Sequence, residues 1–224
     1  MRLLSRLALW APLVLMIGVV LVAGFAAFSA EEGGVQEVEI REYEGERLGS
    51  VSDFRENSIK GVQEIDPEEY ELLIDGLVSA PASLSLSDLQ TMPRLQKLVK
   101  IDCVEGWSVK ALWEGIPLAD LFELVSPMAE VDTVIFHASD GYTTSLPIDV
   151  ILERNLMIAD TINEITLPPA NGFPFQLVAE DKWGYKWIRW ITRIELSDDP
   201  NFRGFWEQRG YSNKADVDGP MFGR

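Results

Sequence analysis

The chain has 224 residues, with 19 Lys and Arg, 36 Asp and Glu, one His and one Cys, and a formal net charge of −17. A hydrophobic content of 47% supports a packed core and excludes global disorder. One cysteine excludes an internal disulfide framework, a Cys-rich zinc site and a protein-ligated iron–sulfur cluster, and one histidine excludes centres built on several imidazoles. The acidic balance argues against nucleic acid as a partner, because phosphate binding needs clustered Lys and Arg.

No charge occurs from Leu7 to Ala30, a run of 24 residues. A spanning helix needs roughly 20 apolar residues, whereas a cleavable signal carries an apolar core of about 7–15. The length favours a membrane anchor over residues 1–30. The alternative is a long signal cut near Ala27-Phe28-Ser29. Arg2 and Arg6 precede the run and Glu31 and Glu32 follow it, which places the following domain outside the cytoplasm by the positive-inside rule. Without residues 1–30 the chain keeps 17 basic and 36 acidic residues, a net charge of −19.

Residues 31–60 read as an acidic linker that becomes an ordered arm towards Asn57-Ser58-Ile59-Lys60. Short strands and helices then mix without a βαβ repeat, which predicts an α+β fold. Strands are expected over Tyr70–Gly76, Leu95–Cys103, Thr133–Ala138, Phe175–Ala179 and Lys186–Leu196, the last from the alternation of Trp187 with Arg189. Short helices are expected at Ser87-Asp88-Leu89, capped by Ser87 or Ser85, and after Pro117 and Pro147. The aromatics Phe202, Phe205, Trp206 and Tyr211 near the C-terminus are expected to cover the core, with a partner surface as the alternative.

Cys103 is a candidate for chemistry, although a lone cysteine is more often a buried structural thiol. It closes a strand and precedes Val104-Glu105-Gly106-Trp107-Ser108, a position suited to a metal ligand or a nucleophile. A buried structural thiol is the plain alternative. A Cys–His hydrolase would have to use His137, which falls inside a strand pattern.

Cys103-Val104-Glu105-Gly106-Trp107-Ser108 resembles the molybdenum-ligand loop of the sulfite oxidase superfamily of molybdopterin-dependent oxidoreductases. Trp113-Glu114-Gly115-Ile116-Pro117-Leu118, Ser139-Asp140-Gly141-Tyr142, Asn171-Gly172-Phe173-Pro174-Phe175-Gln176 and Lys182-Trp183-Gly184-Tyr185-Lys186-Trp187 follow in the same order as in that family. The resemblance runs from about Tyr70 to Tyr211. It is strongest to short single-domain members, including periplasmic methionine sulfoxide reductases.

The resemblance implies a sulfite-oxidase-type fold with mixed β-sheets and short helices, and a molybdopterin-binding oxidoreductase domain over residues 61–224. It implies molybdopterin and molybdenum as cofactors, with Cys103 as the thiolate ligand to the metal and oxygen-atom transfer as the reaction. Asn171, Gln176, Gly184, Tyr185 and Lys186 would hold the pterin, with Lys186 near its phosphate. Ser139, Asn57 and Lys60 would also contact the cofactor, and Tyr142 would be a catalytic proton donor. The family's Asn-Gly-x-Pro segment usually ends in Arg; here it ends in Gln176, and Lys182 or Arg189 would supply the missing charge.

The acidic chain favours a small neutral S-oxide or N-oxide as substrate over sulfite. A sulfite-oxidising enzyme and a cofactor-free binding module are the alternatives. Electrons would come from a separate partner, such as a membrane haem protein or a quinone-linked protein, and the domain is expected to be monomeric. Export of a cofactor-loaded domain usually needs adjacent arginines before the apolar run, and Arg2 and Arg6 are separated here.

Overall fold

The computed structural model describes residues 37–223. The expected membrane segment, and with it the basis for an extracytoplasmic domain, lies outside these residues. Among the described residues no helix is long and apolar enough to cross a membrane.

Two five-stranded sheets carry the fold among the described residues. The first is antiparallel. It orders β10 (Ile165–Thr166), β9 (Met157–Ile162), β6 (Ser108–Pro117) and β5 (Leu95–Asp102), with β11 (Gln176–Val178) also paired to β9. The second orders β4 (Ala82–Ser85), β3 (Glu71–Gly76), β12 (Ile191–Ser197), β7 (Thr133–Ala138) and β8 (Thr143–Pro147). Only β3 and β12 run parallel in it, so this sheet is mixed. One apolar core draws on both sheets: Leu72, Ile74, Phe136 and Ile194 from the second, and Trp113, Ile116, Ile158 and Leu177 from the first. The α+β expectation is borne out.

The helices are short and sit where their caps put them. Ser85 opens α1 (Leu86–Gln90): its hydroxyl accepts from Asp88 N, while the Asp88 carboxylate accepts from Ser85 N. Pro117 precedes α2 (Leu118–Val125) and Pro147 precedes α3 (Ile148–Glu153), the fixed φ of proline suiting a helix entry.

One strand reading needed correction, and the longest strand was not foreseen. The strand expected from Lys186 begins only at Ile191. Gly184–Lys186 is a 3-10 turn, and Trp190 takes φ +53°. The alternation of Trp187 with Arg189 misled because Trp187, Ile188, Arg189 and Trp190 all line one cavity. The longest strand, β6, carries no clean period of two. It pairs on both sides, its burial does not alternate, and a register shift falls at Glu114/Gly115. Gly115 is obligatory there: a Cβ would stand 2.0 Å from the Ile158 carbonyl oxygen.

The N-terminal arm contains the hairpin of β1 (Glu42–Tyr43) and β2 (Glu46–Arg47). Glu39 fastens it, accepting from Ser50 Oγ at 2.9 Å, Val51 N at 2.7 Å and Asn163 Nδ2 at 2.8 Å. The arm then runs to Phe54, which packs edge-on against Trp107 and Trp113, and on to Asn57.

Candidate functional site

Antiparallel pairing of β5 and β6 ends at Asp102 and Ser108, and the loop between them presents Cys103. Two backbone bonds close this loop: Cys103 N donates to Trp107 O at 2.9 Å and Gly106 N to Cys103 O at 3.0 Å. Gly106 takes φ +84°, a left-handed conformation that glycine adopts without cost. Gly184 lies against the Cys103 backbone, and a Cβ there would stand 3.4 Å from Cys103 Cα.

Cys103 lines a cavity of about 170 Å³. Burial pushes its thiol pKa up, and the Glu105 carboxylate adds to this; the backbone amides of Glu105 and Val104 and the Arg189 guanidinium pull it down. Amides aimed at sulfur suit a thiolate ligand, and a bound metal deprotonates a coordinating thiol outright.

The sequence motifs converge here. Asn57, Asn171, Gln176, Gly184, Tyr185 and Tyr142 line the same cavity as Cys103. Asn57 Nδ2 points at Cys103 Sγ at 4.0 Å, and its Oδ1 accepts from Arg189 Nη2 at 3.1 Å. Gln176 is buried, and its Oε1 has no hydrogen-bond partner among the described residues. A buried acceptor without a partner costs about 1–3 kcal/mol, so this oxygen calls for a donor from a bound group. A pterin ring, rich in N–H donors, meets that demand, and the thiol, the amide side chains and the guanidinium form a donor set that fits molybdopterin.

Of the two candidates for the missing charge, Arg189 lines the cavity and Lys182 does not. Arg189 is stacked over Trp190 with 4.7 Å from Cζ to the ring centroid, and it donates to Ala170 O at 2.9 Å. Burial lowers its pKa while Glu56 and Asp140 oppose the fall. Gly172 makes room for it: φ is +110°, and a Cβ would lie 2.8 Å from Arg189 Cβ and Cγ. Lys182 is committed to Asp216 instead.

Not every expected site residue lines the cavity. Lys186 is fully buried outside the cavity lining, paired with Glu207 at 2.6 Å and donating to Ser145 O at 2.8 Å. Its ammonium is engaged by protein acceptors in the interior. Ser139 is exposed and off the lining, and its neighbour Asp140 takes the place at the wall. Lys60 is exposed beside Gly141 and is not in the lining. Tyr142 does line the cavity, but its hydroxyl donates to Tyr185 O, and burial together with the Glu207 charge raises its pKa well above that of a free phenol. Its proton is thus engaged within the cavity wall.

His137 stands on β7, bonded to Glu195 Oε2 at 2.9 Å, and does not line the cavity. The Cys–His hydrolase has no dyad here. The C-terminal aromatics also differ from expectation. Trp206 and Tyr211 form part of the cavity wall, and neither they nor Phe205 belong to the buried core. Their alternation with charged residues does not separate wall from core, so the sequence carried no signal for this. The Trp107 and Trp190 rings complete the lining.

Comparison with known proteins agrees with this geometry. Residues 59–206 match the family described as the oxidoreductase molybdopterin binding domain. The uncharacterized oxidoreductase YuiH of Bacillus subtilis is 34% identical over 152 residues, covering 67% of this chain and 76% of the relative. The protein-methionine-sulfoxide reductase catalytic subunit MsrP of Ralstonia nicotianae is 28% identical over 183 residues, covering 70% of this chain and 54% of that protein. The chain thus spans only about half the length of that relative. The sulfane dehydrogenase SoxCD of Paracoccus pantotrophus superposes with a TM-score of 0.61 at 20% identity, over 67% of this chain and 42% of the other. That likeness is one of fold, the sulfite-oxidase type. A cavity lined by Cys103 and the ordered motifs, together with a family match across most of the chain, leads to one assignment: the chain belongs to the molybdopterin-binding domain family of oxidoreductases.

Proposed function

We propose that this oxidoreductase transfers an oxygen atom at a molybdenum held by the Cys103 thiolate, reducing a small neutral S-oxide or N-oxide. The observation that carries the reading is Cys103 in the cavity lining, with Asn57 Nδ2 4.0 Å from its Sγ and Gln176 Oε1, unpartnered among the described residues, in the same lining. The reduction balances as R2SO plus two electrons and two protons giving R2S and water. Molybdopterin, when bound, supplies the dithiolene sulfurs and the two-electron metal chemistry.

The protein's own part is positional. Cys103 would hold the metal, with the Val104 and Glu105 amides fixing the sulfur's lone pairs. Gln176 and Asn171 would accept and donate to the pterin, and Gly184 and Tyr185 would approach it closely. Arg189, fixed by Ala170 O, Asn57 and Trp190, would present a positive charge to the bound cofactor. The Trp107 and Trp190 rings would exclude water from the reacting atoms.

A neutral substrate suits the charges present. Arg55 and Arg189 line the cavity, a feature that would favour sulfite, but Glu105 and Asp140 line it too, and Glu56 lies 3.6 Å from Arg189. With a chain of net charge −17, an anion gains little on approach. A relative named as a methionine-sulfoxide reductase catalytic subunit supports the S-oxide, and the word subunit supports a separate protein delivering the electrons. A membrane haem or quinone-linked protein, with this domain anchored beside it on the extracytoplasmic side, would meet that need.

The test is metal and pterin analysis of protein made in a host that synthesises the cofactor, together with reduction of sulfoxides and N-oxides by a reduced viologen. One molybdenum and one pterin per chain, lost in Cys103→Ser along with activity, is the expected result. Protein from that host without molybdenum would leave the cofactor-free module. Faster oxidation of sulfite than reduction of any oxide would reverse the choice of substrate.

A further inference from the structure

The C-terminal segment carries a series of rings in edge-to-face and tilted contact that holding the cofactor leaves unused. Tyr142–Phe205, Phe205–Trp206, Trp206–Tyr211 and Tyr211–Phe222 have ring centroids 5.8, 5.3, 5.5 and 4.9 Å apart. At the inner end, Tyr142, Trp206 and Tyr211 line the Cys103 cavity. At the outer end, Phe222 is 63% exposed and stands beyond the lining. The rings thus run without a gap from the cavity wall to the solvent.

This wall is built to stay in place. A bridge pairs Tyr211 with Phe222, Ser212 N donates to Met221 O at 3.0 Å, and Gly223 N to Gly210 O at 3.1 Å. Glu207, one residue after Trp206, is fully buried against Lys186. The Arg209 guanidinium covers Phe205, with Cζ 3.6 Å from its ring centroid. Core packing does not account for the series, since Phe205, Trp206, Tyr211 and Phe222 all lie outside the buried core. An exposed ring continuous with a reactive cavity is apolar surface kept next to the site where substrate arrives.

We infer that this series of rings selects the substrate, and that the oxide reduced here carries a flat apolar group, an aryl or a planar unit of similar size, beside its sulfur. The inference rests on the S-oxide reading above and narrows it. Aromatic faces attract planar apolar groups by offset stacking and need no charge on the ligand, in keeping with a neutral substrate. The flat group would lie against Trp206 and Tyr211 in the cavity wall while the oxide faces Cys103, and Phe222, outside the lining with its ring 4.9 Å from that of Tyr211, would hold the Tyr211 ring in place.

The experiment uses the full-length, cofactor-loaded protein with a reduced viologen as donor. The ratio of kcat/KM for methyl phenyl sulfoxide to that for dimethyl sulfoxide is measured in the wild type, in Phe222→Ala and in Leu152→Ala, the last at an exposed apolar residue of α3. In parallel, binding of methyl phenyl sulfone is followed by tryptophan fluorescence. The wild type should favour the aryl compound by about tenfold. The ratio should fall about fivefold in Phe222→Ala and hold in Leu152→Ala, with the sulfone binding more weakly to Phe222→Ala. Equal ratios in wild type and Phe222→Ala, or no preference in the wild type, would overturn the inference. If neither sulfoxide is turned over but the sulfone still binds in a Phe222-dependent way, the S-oxide reading fails and the aromatic selection stands.

Discussion

Lys186 and Glu207 form an ion pair whose two side chains are both wholly buried, 2.6 Å apart. The pair is further bonded: Lys186 donates to Ser145 O, and Thr144 Oγ1 donates to Glu207 Oε1 at 2.7 Å. Burial pulls the lysine pKa down while the Glu207 charge pushes it back up. Each partner adjoins a wall residue, Tyr185 on one side and Trp206 on the other. Lys186→Met leaves a buried carboxylate alone and should cost about 3–5 kcal/mol of stability, read by urea unfolding. The double variant Lys186→Met/Glu207→Leu should recover most of that loss, because it removes both charges together.

Gln176 should show opposite effects with and without cofactor. Its Oε1 is buried and unpartnered among the described residues. Gln176→Leu removes that unmet acceptor, so the cofactor-free chain should be equally stable or gain about 1 kcal/mol. The same variant should retain less pterin after dialysis. Thermal unfolding and pterin fluorescence of the two preparations check both halves. A loss of stability in the cofactor-free chain would contradict the reading.

Tyr142 separates a structural hydroxyl from a catalytic one. Its proton is bonded to Tyr185 O, and its pKa lies well above the usual phenol value. Tyr142→Phe should therefore cost about 1–2 kcal/mol in stability through the unpaired carbonyl. Its kcat should fall by less than about tenfold, whereas removal of a general acid costs roughly 10²–10⁴. Single-turnover kinetics beside a melting curve distinguish the two.

Local rules made much of the fold legible. Ser85, Pro117 and Pro147 mark their helix starts, and the strand over Thr133–Ala138 is a plain β-branched and aromatic run. The rules stop where a segment answers to several neighbours at once. β6 is sandwiched between β5 and β9, so it shows no period. Residues 187–190 alternate in polarity yet bend to line the cavity. Within the site, Cys103, Asn57, Asn171, Gln176, Gly184 and Tyr185 were legible through the order of their motifs. The pairing of Lys186 with Glu207 was not legible, because Glu207 lies 21 residues on and a long-range pairing leaves no local mark. Trp206 and Tyr211 were misread because an aromatic wall and an aromatic core use the same residues.

The hold of Glu39 on the arm has a mechanical consequence. Three hydrogen bonds fix the chain at Glu39, and Glu37 adds two more to Thr166, well before the arm reaches Asn57 at the cavity. Glu37 and Glu39 tie the start of the arm to Asn163 and Thr166 of the β9–β10 hairpin, so the path of the arm is set before it reaches Asn57, whose Nδ2 lies 4.0 Å from Cys103 Sγ.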